Sequence, residues 1–346
     1  MKKFKRAKDI KVGVIGYGGA FNMGRAHINE MQRAGMTAVA VAEIDESRLE
    51  VARKDFPGIE TYDSAAKMLT KSDVNLVAII TPHNTHAKLA LQCLNAGRHV
   101  VCEKPLAITT IECDRMIAAA KKNKVVISTY HNRHWDGCIL QAVDKILKKK
   151  VVGDVIRIEA HGGGYGKPRP WWRSSKSISG GILYDWGVHF LEYALQLIDS
   201  EIVEVSGFAK AGFWAPKCVW KNDTNEDDAL TIVRFNSGQW LSLHMSSIDS
   251  LPKGDRGRLE ITGTKGTYVM NGGSYKLIKQ TKSGPKEETG GSPPGEGWKF
   301  YQNVADHLVK GTNLIITGEW ARRPIQIIDL ANKSAKLGNA LKAKYA

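Results

Sequence analysis

The sequence of 346 residues has few cysteines and no long apolar run. Its five cysteines include no Cys-x-x-Cys pair, which argues against a disulfide framework or a thiolate zinc site and is typical of a reducing compartment. The longest apolar stretches, such as residues 74–80, have the length of a strand, far below the ~18–20 residues of a membrane span. The basic first residues precede a short, glycine-broken segment, unlike a signal peptide. These absences predict a cytoplasmic protein with no membrane association.

Nucleic-acid and metal motifs are missing too, although Lys and Arg outnumber Asp and Glu by 50 to 35. Basic residues do not alternate with aromatic ones in the order of an RNA-binding motif, and no zinc-finger spacing occurs. We therefore interpret the net charge of +15 as solvated helix faces and predict no nucleic-acid partner. The histidines show neither His-Glu-x-x-His nor two-His-one-carboxylate spacing, so no metal site is predicted.

Two regions with different patterns follow one another along the chain. Short apolar runs at residues 12–15, 37–42, 74–80, 99–102 and 125–129 alternate with helical patterns, which is typical of βαβ units and a parallel sheet. Beyond residue 130, two helical stretches precede strands separated by hairpin turns, for example at 236–238. The sequence thus predicts an α/β domain over 1–130 and a largely antiparallel α+β domain over 131–346. A closing helix is expected over about 319–342, and a loop over 280–297.

A glycine-rich turn separates the first strand from the first helix. Glycines let the backbone bend sharply and approach a pyrophosphate, whose charge is met by the N–H groups at the helix start. The third glycine of Gly-x-Gly-x-x-Gly would fall at Phe21, so a lengthened turn with Gly24 nearest the helix is expected to restore close packing. The turn residues expected to contact a dinucleotide are Gly16, Gly18, Gly19, Ala20, Phe21, Asn22 and Met23.

Glu43 ends the second strand, where an acidic group can accept hydrogen bonds from an adenosine ribose. Its carboxylate would repel a 2′-phosphate, so NAD is predicted in preference to NADP. Arg48 weakens this prediction only mildly, since it lies in the next segment. The alternative is that the glycines merely make a tight turn and Glu43 caps a solvated strand end.

Three further motifs suggest a family. They are Thr81-Pro-His-Asn-Thr-His86, Glu103-Lys104-Pro105 and Ser179-Gly-Gly-Ile-Leu-Tyr-Asp185-Trp-Gly-Val-His189. With the glycine turn, these motifs make the chain resemble, over nearly its whole length, the Gfo/Idh/MocA family of glucose–fructose oxidoreductase-like and inositol dehydrogenase-like proteins. The resemblance implies a Rossmann domain, a second domain whose open sheet often forms subunit contacts, and hence a homo-oligomer, as a dimer or tetramer. It also implies a tightly held nicotinamide cofactor and oxidation of a ring hydroxyl in a sugar or cyclitol.

The resemblance also assigns residues by matching position. Lys104, Asp185 and His189 inherit the catalytic roles. Glu103 and Lys104 are expected near the nicotinamide ribose. The residues expected along the cofactor are Thr81, Pro82, His83 and His86, with His83 standing where asparagine is frequent in the family.

The chemistry suits these residue types. His189 can accept the hydroxyl proton because an imidazole has an unperturbed pKa of about 6.5. Lys104 can donate to the substrate oxygen and stabilise alkoxide character, and Asp185 can orient either partner. On a helix beginning near residue 182, Asp185 and His189 would be neighbours four residues apart. The alternative is an ordinary surface pair on an amphipathic helix.

A loop rich in glycine and tryptophan, residues 162–173, is the candidate substrate loop. Tryptophan faces can stack on a sugar ring, and arginine can bind hydroxyls or a carboxylate. Trp172, Arg173 and His134 are expected to contact the substrate together with Lys104, Asp185 and His189. The alternative is that Trp171 and Trp172 only anchor the loop by packing.

Three functions remain open on the sequence. The first is an NAD-dependent dehydrogenase that oxidises a ring secondary hydroxyl of a sugar, sugar derivative or inositol. The second uses the same site for redox-neutral glycoside cleavage, through transient oxidation, elimination and reduction. The third is a non-catalytic Rossmann sensor or nucleic-acid binder, which the intact set of Lys104, Asp185 and His189 disfavours.

Overall fold

The computed structural model describes residues 4–251 and 258–344. Its N-terminal part alternates strands and helices. These elements are β1 (Lys11–Ile15), α1 (Met23–Arg33), β2 (Thr37–Ala42), α2 (Glu46–Asp55), β3 (Glu60–Tyr62), α3 (Ala65–Lys71), β4 (Leu76–Ile79), α4 (His86–Asn95), β5 (His99–Cys102), α5 (Thr110–Asn123) and β6 (Ile127–Thr129).

The remaining elements are dominated by long strands. They are α6 (Gly137–Val143), β7 (Val155–Gly163), α7 (Lys176–Ser179), α8 (Gly187–Leu197), β8 (Ile202–Lys210), β9 (Asp228–Phe235), β10 (Trp240–Ser246), β11 (Leu259–Gly263), β12 (Gly266–Met270), β13 (Ser274–Thr281), β14 (Gly284–Gly291), α9 (Lys299–Lys310), α10 (Gly318–Leu337) and β15 (Leu341–Lys342). Within the described ranges, no helix is both long and apolar enough to cross a membrane.

The chain forms two compact units. The first contains the residues up to Asn132 together with Trp298–Arg323, and the second contains Arg133–Gly297 together with the residues from Pro324 onward. The chain passes from the first unit to the second within α10, at Pro324. The first unit therefore includes α9 and the start of α10, whereas the sequence assigned everything after residue 130 to the second domain.

The sheet of the first unit has, over the described residues, six parallel strands in the order β3-β2-β1-β4-β5-β6. The strand order reverses between β1 and β4, and in such doubly wound sheets ligands bind at the carboxyl ends of the strands beside this switch point. The central strands are buried on both faces, as in β4, whose four residues are all buried. The predicted Rossmann-type sheet is confirmed, and the glycine turn after β1 lies at the switch point.

The sheet of the second unit has nine strands in the part of the chain that the structure describes, in the order β14-β13-β12-β11-β7-β10-β9-β8-β15. Only the β7–β10 pairing is parallel. The predicted large, mostly antiparallel open sheet is therefore confirmed. α8 packs on the central strands β7 and β10, so the residues at its start are held by the middle of the sheet.

Three local predictions were wrong. Residues 280–297 contain β14, which pairs with β13 along eight residues; most of its side chains are exposed, so it has no apolar alternation to reveal it. The closing helix ends at Leu337, because Gly338 adopts a φ of +75° there. The helix expected from residue 182 begins only at Gly187, which changes the setting of Asp185.

Candidate active site

The turn after β1 is tightly packed at both ends. Gly16 has a φ of +97°, and a Cβ on it would lie 2.6 Å from the carbonyl oxygen of Ile80. Gly24, in the first turn of α1, is equally restricted because a Cβ there would lie 2.5 Å from the ring of Tyr17. Around Gly18, in contrast, no described atom lies within 4 Å of an added Cβ. The turn is closed where it packs and open above Gly18, which is the shape a diphosphate requires.

Gly24 thus provides the close approach that residue 21 cannot, since the side chain of Phe21 is 54% exposed. Asn22 precedes α1 in a left-handed conformation, and its side chain makes no capping hydrogen bond to the helix. The first N–H groups of α1 belong to the same turn as Gly18 and Gly19. These groups and the open space above the turn fit a bound dinucleotide.

Tyr17 holds this turn in place. Its hydroxyl donates to Asp55 at 2.7 Å, and the guanidinium of Arg25 donates two hydrogen bonds of 2.7 Å to the same carboxylate. Burial alone would raise the pKa of Asp55, but the hydrogen bonds from Tyr17 and Arg25 hold it below its ordinary value. The turn is therefore tied to the end of α2 by a charged anchor.

Glu43, directly after β2, faces the same turn. Its Oε2 accepts the Tyr17 N–H at 2.6 Å, and its Oε1 accepts the Ile44 N–H at 2.7 Å. Arg48 donates from Nε to the Tyr17 carbonyl oxygen at 2.9 Å, and its guanidinium would lie 3.1 Å from a Cβ on Gly19. This side of the turn therefore carries one carboxylate and one guanidinium.

In the segment after β4, polar side chains form hydrogen bonds with one another and with backbone carbonyl groups. The hydroxyls of Thr81 and Thr85 lie 2.6 Å apart. The His86 ring, which is fully buried, places Nδ1 2.7 Å from the Pro105 carbonyl oxygen and Nε2 2.9 Å from that of Thr81. His83 is 2% exposed. His86 thus connects the 81–86 segment to the segment that carries Lys104.

Lys104 follows β5 in the first unit, next to a carboxylate with several partners. The Lys104 N–H donates to Glu103 Oε2 at 2.9 Å, while Glu103 Oε1 lies 3.1 Å from His27 Nε2. Burial would raise the pKa of Glu103, but the His27 hydrogen bond and the charge of Lys104 hold it below its ordinary value. A fixed carboxylate therefore lies directly beside the proposed catalytic lysine.

In the second unit, a glycine turn leads to Asp185. Gly180 and Gly181 have φ values of +94° and +130°, and a Cβ on Gly181 would lie 2.7 Å from Glu226 Oε2. The buried Glu226 accepts the Ile182 N–H at 3.0 Å and pairs with Lys176 at 2.6 Å. The turn is therefore built around a buried carboxylate.

Asp185 lies between a short 3₁₀ turn (Ile182–Tyr184) and α8, not inside a helix. Its carboxylate pairs with Arg173 at 2.6 Å. The guanidinium of Arg173 in turn lies 4.8 Å from the ring centroid of Trp172. The predicted substrate residues Trp172 and Arg173 are thus brought to Asp185, and Trp172 also serves as a packing partner.

His189 lies in the first turn of α8, is 5% exposed, and has its ring 5.6 Å from that of Trp186. The predicted i, i+4 helical pair with Asp185 is wrong, because α8 starts at Gly187. Asp185 and His189 remain on consecutive elements of the second unit, while Lys104 belongs to the first.

His134 is also in the second unit. Its Nδ1 lies 2.5 Å from Oε1 of Glu192, a carboxylate that is 1% exposed and also accepts from the Gln196 amide. His134 therefore has a structural partner on α8, the helix that carries His189.

Four residues of these clusters are not predicted as site residues from the sequence: His27, Arg48, Glu192 and Glu226. Helical spacing places Arg48 on the first turns of α2, but the pattern does not show that its side chain turns back to Gly19. His27, Glu192 and Glu226 are buried polar residues, and no local sequence motif predicts their burial. Only long-range packing reveals them.

Two family models match the chain. The model for the oxidoreductase family with an NAD-binding Rossmann fold covers residues 10–131, and the model for the GFO/IDH/MocA C-terminal domain covers residues 140–269. The chain belongs to the Gfo/Idh/MocA family of oxidoreductases. It is therefore an oxidoreductase with a Rossmann domain for NAD or NADP.

Its similarity to individual family members is distant but extends over long stretches. The chain is 26% identical to scyllo-inositol 2-dehydrogenase (NADP(+)) IolW of Bacillus subtilis, over 97% of this chain and 96% of that protein. It is 27% identical to myo-inositol 2-dehydrogenase of Thermotoga maritima, over 74% of each. Among solved structures, levoglucosan dehydrogenase in complex with NADH shares the fold with a TM-score of 0.80 at 21% identity, covering 97% of this chain and all of that one (100%).

Proposed function

We propose that the protein is an NAD-dependent dehydrogenase that oxidises a ring secondary hydroxyl of a sugar, sugar derivative or inositol to a ketone. Two relatives named as inositol dehydrogenases support the substrate class. The observation that carries the proposal is the pairing, in one unit, of a glycine turn open above Gly18 with Lys104 beside the fixed Glu103 carboxylate. A non-catalytic Rossmann sensor would need the glycine turn but not Lys104.

The first unit holds the cofactor, whose nicotinamide ring accepts the hydride when it is bound. The proposed contacts are those of the glycine turn (Gly16, Gly18, Gly19, Ala20, Phe21, Asn22 and Met23), of Glu43, of Thr81, Pro82, His83 and His86, and of Glu103 and Lys104. In this set His86 supports the cofactor loop from behind, because both of its ring nitrogens lie against backbone carbonyls. Lys104 donates a hydrogen bond to the hydroxyl oxygen of the carbon that is being oxidised.

The second unit supplies the proton acceptor and the substrate contacts. His189 takes the hydroxyl proton, since imidazole is the side chain best suited to general-base catalysis near neutral pH. Asp185 orients the substrate or His189, and Arg173 fixes Asp185 through their ion pair. Trp172, Arg173 and His134 complete the proposed substrate contacts.

NAD is the proposed cofactor because Glu43 places a carboxylate at the adenosine end of the turn. A negative charge there disfavours a 2′-phosphate. Arg48 lies close enough to Gly19 to offset part of this repulsion, and one relative is named for NADP(+). The preference for NAD over NADP is therefore expected to be partial, with some activity retained with NADP.

We also propose, from the family resemblance, a homo-oligomer assembled through the open sheet of the second unit, working in the cytoplasm. In this view the first unit is the cofactor domain and the second unit is the substrate and assembly domain.

The test is a spectrophotometric screen of the purified protein with NAD and with NADP against inositols, free sugars, sugar acids and glycosides. The proposal predicts reduced cofactor in stoichiometric amounts with at least one polyol, and faster with NAD. Cleavage of a glycoside without accumulation of reduced cofactor would contradict net oxidation and point to the redox-neutral reaction instead.

A further inference from the structure

A buried chain of hydrogen bonds runs from α9 to the backbone of Lys104. The Tyr301 oxygen lies 2.5 Å from His27 Nδ1, His27 Nε2 lies 3.1 Å from Glu103 Oε1, and Glu103 Oε2 accepts the Lys104 N–H at 2.9 Å. Tyr301 and His27 are fully buried, and the Glu103 side chain is 15% exposed. All four residues belong to the first unit.

The chemistry of the acceptor fixes the direction of this chain. An ionised carboxylate only accepts hydrogen bonds, so His27 must carry its proton on Nε2 and donate to Glu103. Nδ1 is then left to accept a hydrogen bond from the Tyr301 hydroxyl. This tautomer of His27 satisfies both neighbours: Glu103 selects it, and the Tyr301 hydroxyl supports it by donating to Nδ1.

The ring of Tyr130 closes the cluster from the end of β6. It lies 4.1 Å from the His27 ring, and its hydroxyl donates to Glu30 at 2.8 Å. Burial, reinforced by Glu30, raises the pKa of Tyr130, and burial also raises the pKa of Tyr301, so both stay protonated at working pH. The described groups that hold the pKa of Glu103 down are therefore His27, through its hydrogen bond, and Lys104, through its charge and backbone N–H.

We propose that His27, held from its other side by the Tyr301 hydroxyl, is a positioning residue that keeps Glu103 ionised and oriented so that Lys104 is held in place for catalysis. Neither His27 nor Tyr301 needs to touch substrate or cofactor for this. The inference rests on the proposed role of Lys104, and it adds two residues from helices α1 and α9 to the machinery behind it.

Substitutions of His27 and Tyr301 should reduce turnover to different degrees, according to which hydrogen-bonding atoms each one removes. His27→Ala removes the donor to Glu103 and leaves a buried carboxylate without it, so Glu103 protonates at higher pH. His27→Gln retains an amide N–H that can replace Nε2 and should rescue the loss in part. Tyr301→Phe keeps the aromatic ring but leaves the buried His27 Nδ1 without its donor, and its effect should lie between those of the two His27 variants.

The matched control is His99→Gln. His99 is also a buried histidine of the first unit, 4% exposed, and lies at the opposite end of β5 from Lys104. Its Nδ1 accepts the Val126 N–H at 3.0 Å, so the substitution disturbs one buried hydrogen bond without touching Glu103.

The decisive experiment measures kcat, KM, the affinity for NADH and the pH profile of kcat/KM in all four variants. We expect His27→Ala to lower kcat by about 10- to 100-fold with KM and NADH affinity changed by less than about threefold, and to move the acid limb of kcat/KM up by about one pH unit. His99→Gln should leave kcat and the acid limb unchanged. Equal effects of His27→Ala and His99→Gln, or an unmoved acid limb, would overturn the inference.

Amide hydrogen exchange of Lys104 gives a readout without turnover. In His27→Ala the Lys104 N–H should exchange at least about tenfold faster than in the wild type, and in His99→Gln at the wild-type rate. If no polyol is oxidised, the proposed function fails, but this exchange measurement still decides whether His27 positions the residue. Unchanged exchange in His27→Ala would overturn the inference by itself.

Discussion

The carboxylate of Asp185 lies 2.6 Å from the guanidinium of Arg173, which also covers the ring of Trp172. One arginine thus links the proposed catalytic aspartate to the loop proposed to hold the substrate. The glycine pair before Asp185 is fixed by the buried Glu226, so this link rests on a rigid base. The ion pair with Arg173 fixes the orientation of the Asp185 carboxylate, which its position just before α8 does not.

Arg173→Gln should therefore raise KM and lower kcat together, each by about tenfold, because Asp185 loses its partner and the loop loses a substrate contact. Arg169→Gln is the matched control, since Arg169 belongs to the same loop and lies 5.9 Å from the Trp171 ring. Steady-state kinetics of both variants check this. Equal kinetic constants in Arg173→Gln and wild type would show that the ion pair has no role in turnover.

Glu43→Gln should shift cofactor choice toward NADP by about tenfold or more, since it removes the negative charge that opposes a 2′-phosphate. The glutamine oxygen can still accept the Tyr17 N–H, so the turn should keep its shape. The measurement is the ratio of kcat/KM for NAD and NADP. An unchanged ratio, with Arg48→Gln unchanged as well, would remove both residues from cofactor selection.

Gly24→Ala should destabilise the protein by about 1–3 kcal/mol, because the new methyl group would press on the Tyr17 ring. Gly18→Ala should change stability by less than about 0.5 kcal/mol, since its surroundings are open. Gly18→Ala should nevertheless weaken NADH binding, because its methyl group occupies the space proposed for the diphosphate. Denaturant unfolding and NADH titration separate the two effects; tight NADH binding by Gly18→Ala would contradict the proposed cofactor position.

His99 predicts a specific pH dependence of stability. Burial lowers the pKa of His99 to about 4 from its ordinary value of 6.5. The unfolded chain therefore binds this proton first as pH falls, and the stability contributed by neutral His99 is present above about pH 6.5 and is lost between there and pH 4. In His99→Gln the free energy of unfolding should fall by about 2–3 kcal/mol less between pH 7 and pH 4 than in the wild type. Parallel stability curves would contradict the buried neutral state.

Much of this fold is readable from local pattern. β2 and β5 have the predicted bounds because each forms a continuous run of mainly apolar or β-branched residues, buried throughout in β5 and over the last three residues of β2. The hairpin strands of the second sheet are announced by turn residues. β3 and β14 cannot be predicted in this way. β3 is only three residues long and β14 is exposed on both faces, so neither shows the alternation of apolar and polar residues that is typical of a strand.

The site was predictable as motifs but not as contacts. Glycine spacing located the turn. The tight packing of Gly24, in place of a glycine at position 21, results from contact with the Tyr17 ring, which the spacing does not show. Helical periodicity placed Asp185 and His189 on one helix, whereas the glycine turn held by Glu226 delays the helix to Gly187. Such contacts join residues far apart in sequence, and no window of local pattern contains both partners.

The central claim is that Lys104 acts on the substrate oxygen, and Lys104→Met tests it most directly once the screen has found a substrate. Turnover should fall by at least about 10²–10³-fold, as for loss of a preorganised donor, while the dissociation constant for NADH changes by less than about threefold. Turnover close to that of the wild type, or a loss of turnover matched by an equal loss of NADH affinity, would contradict the account.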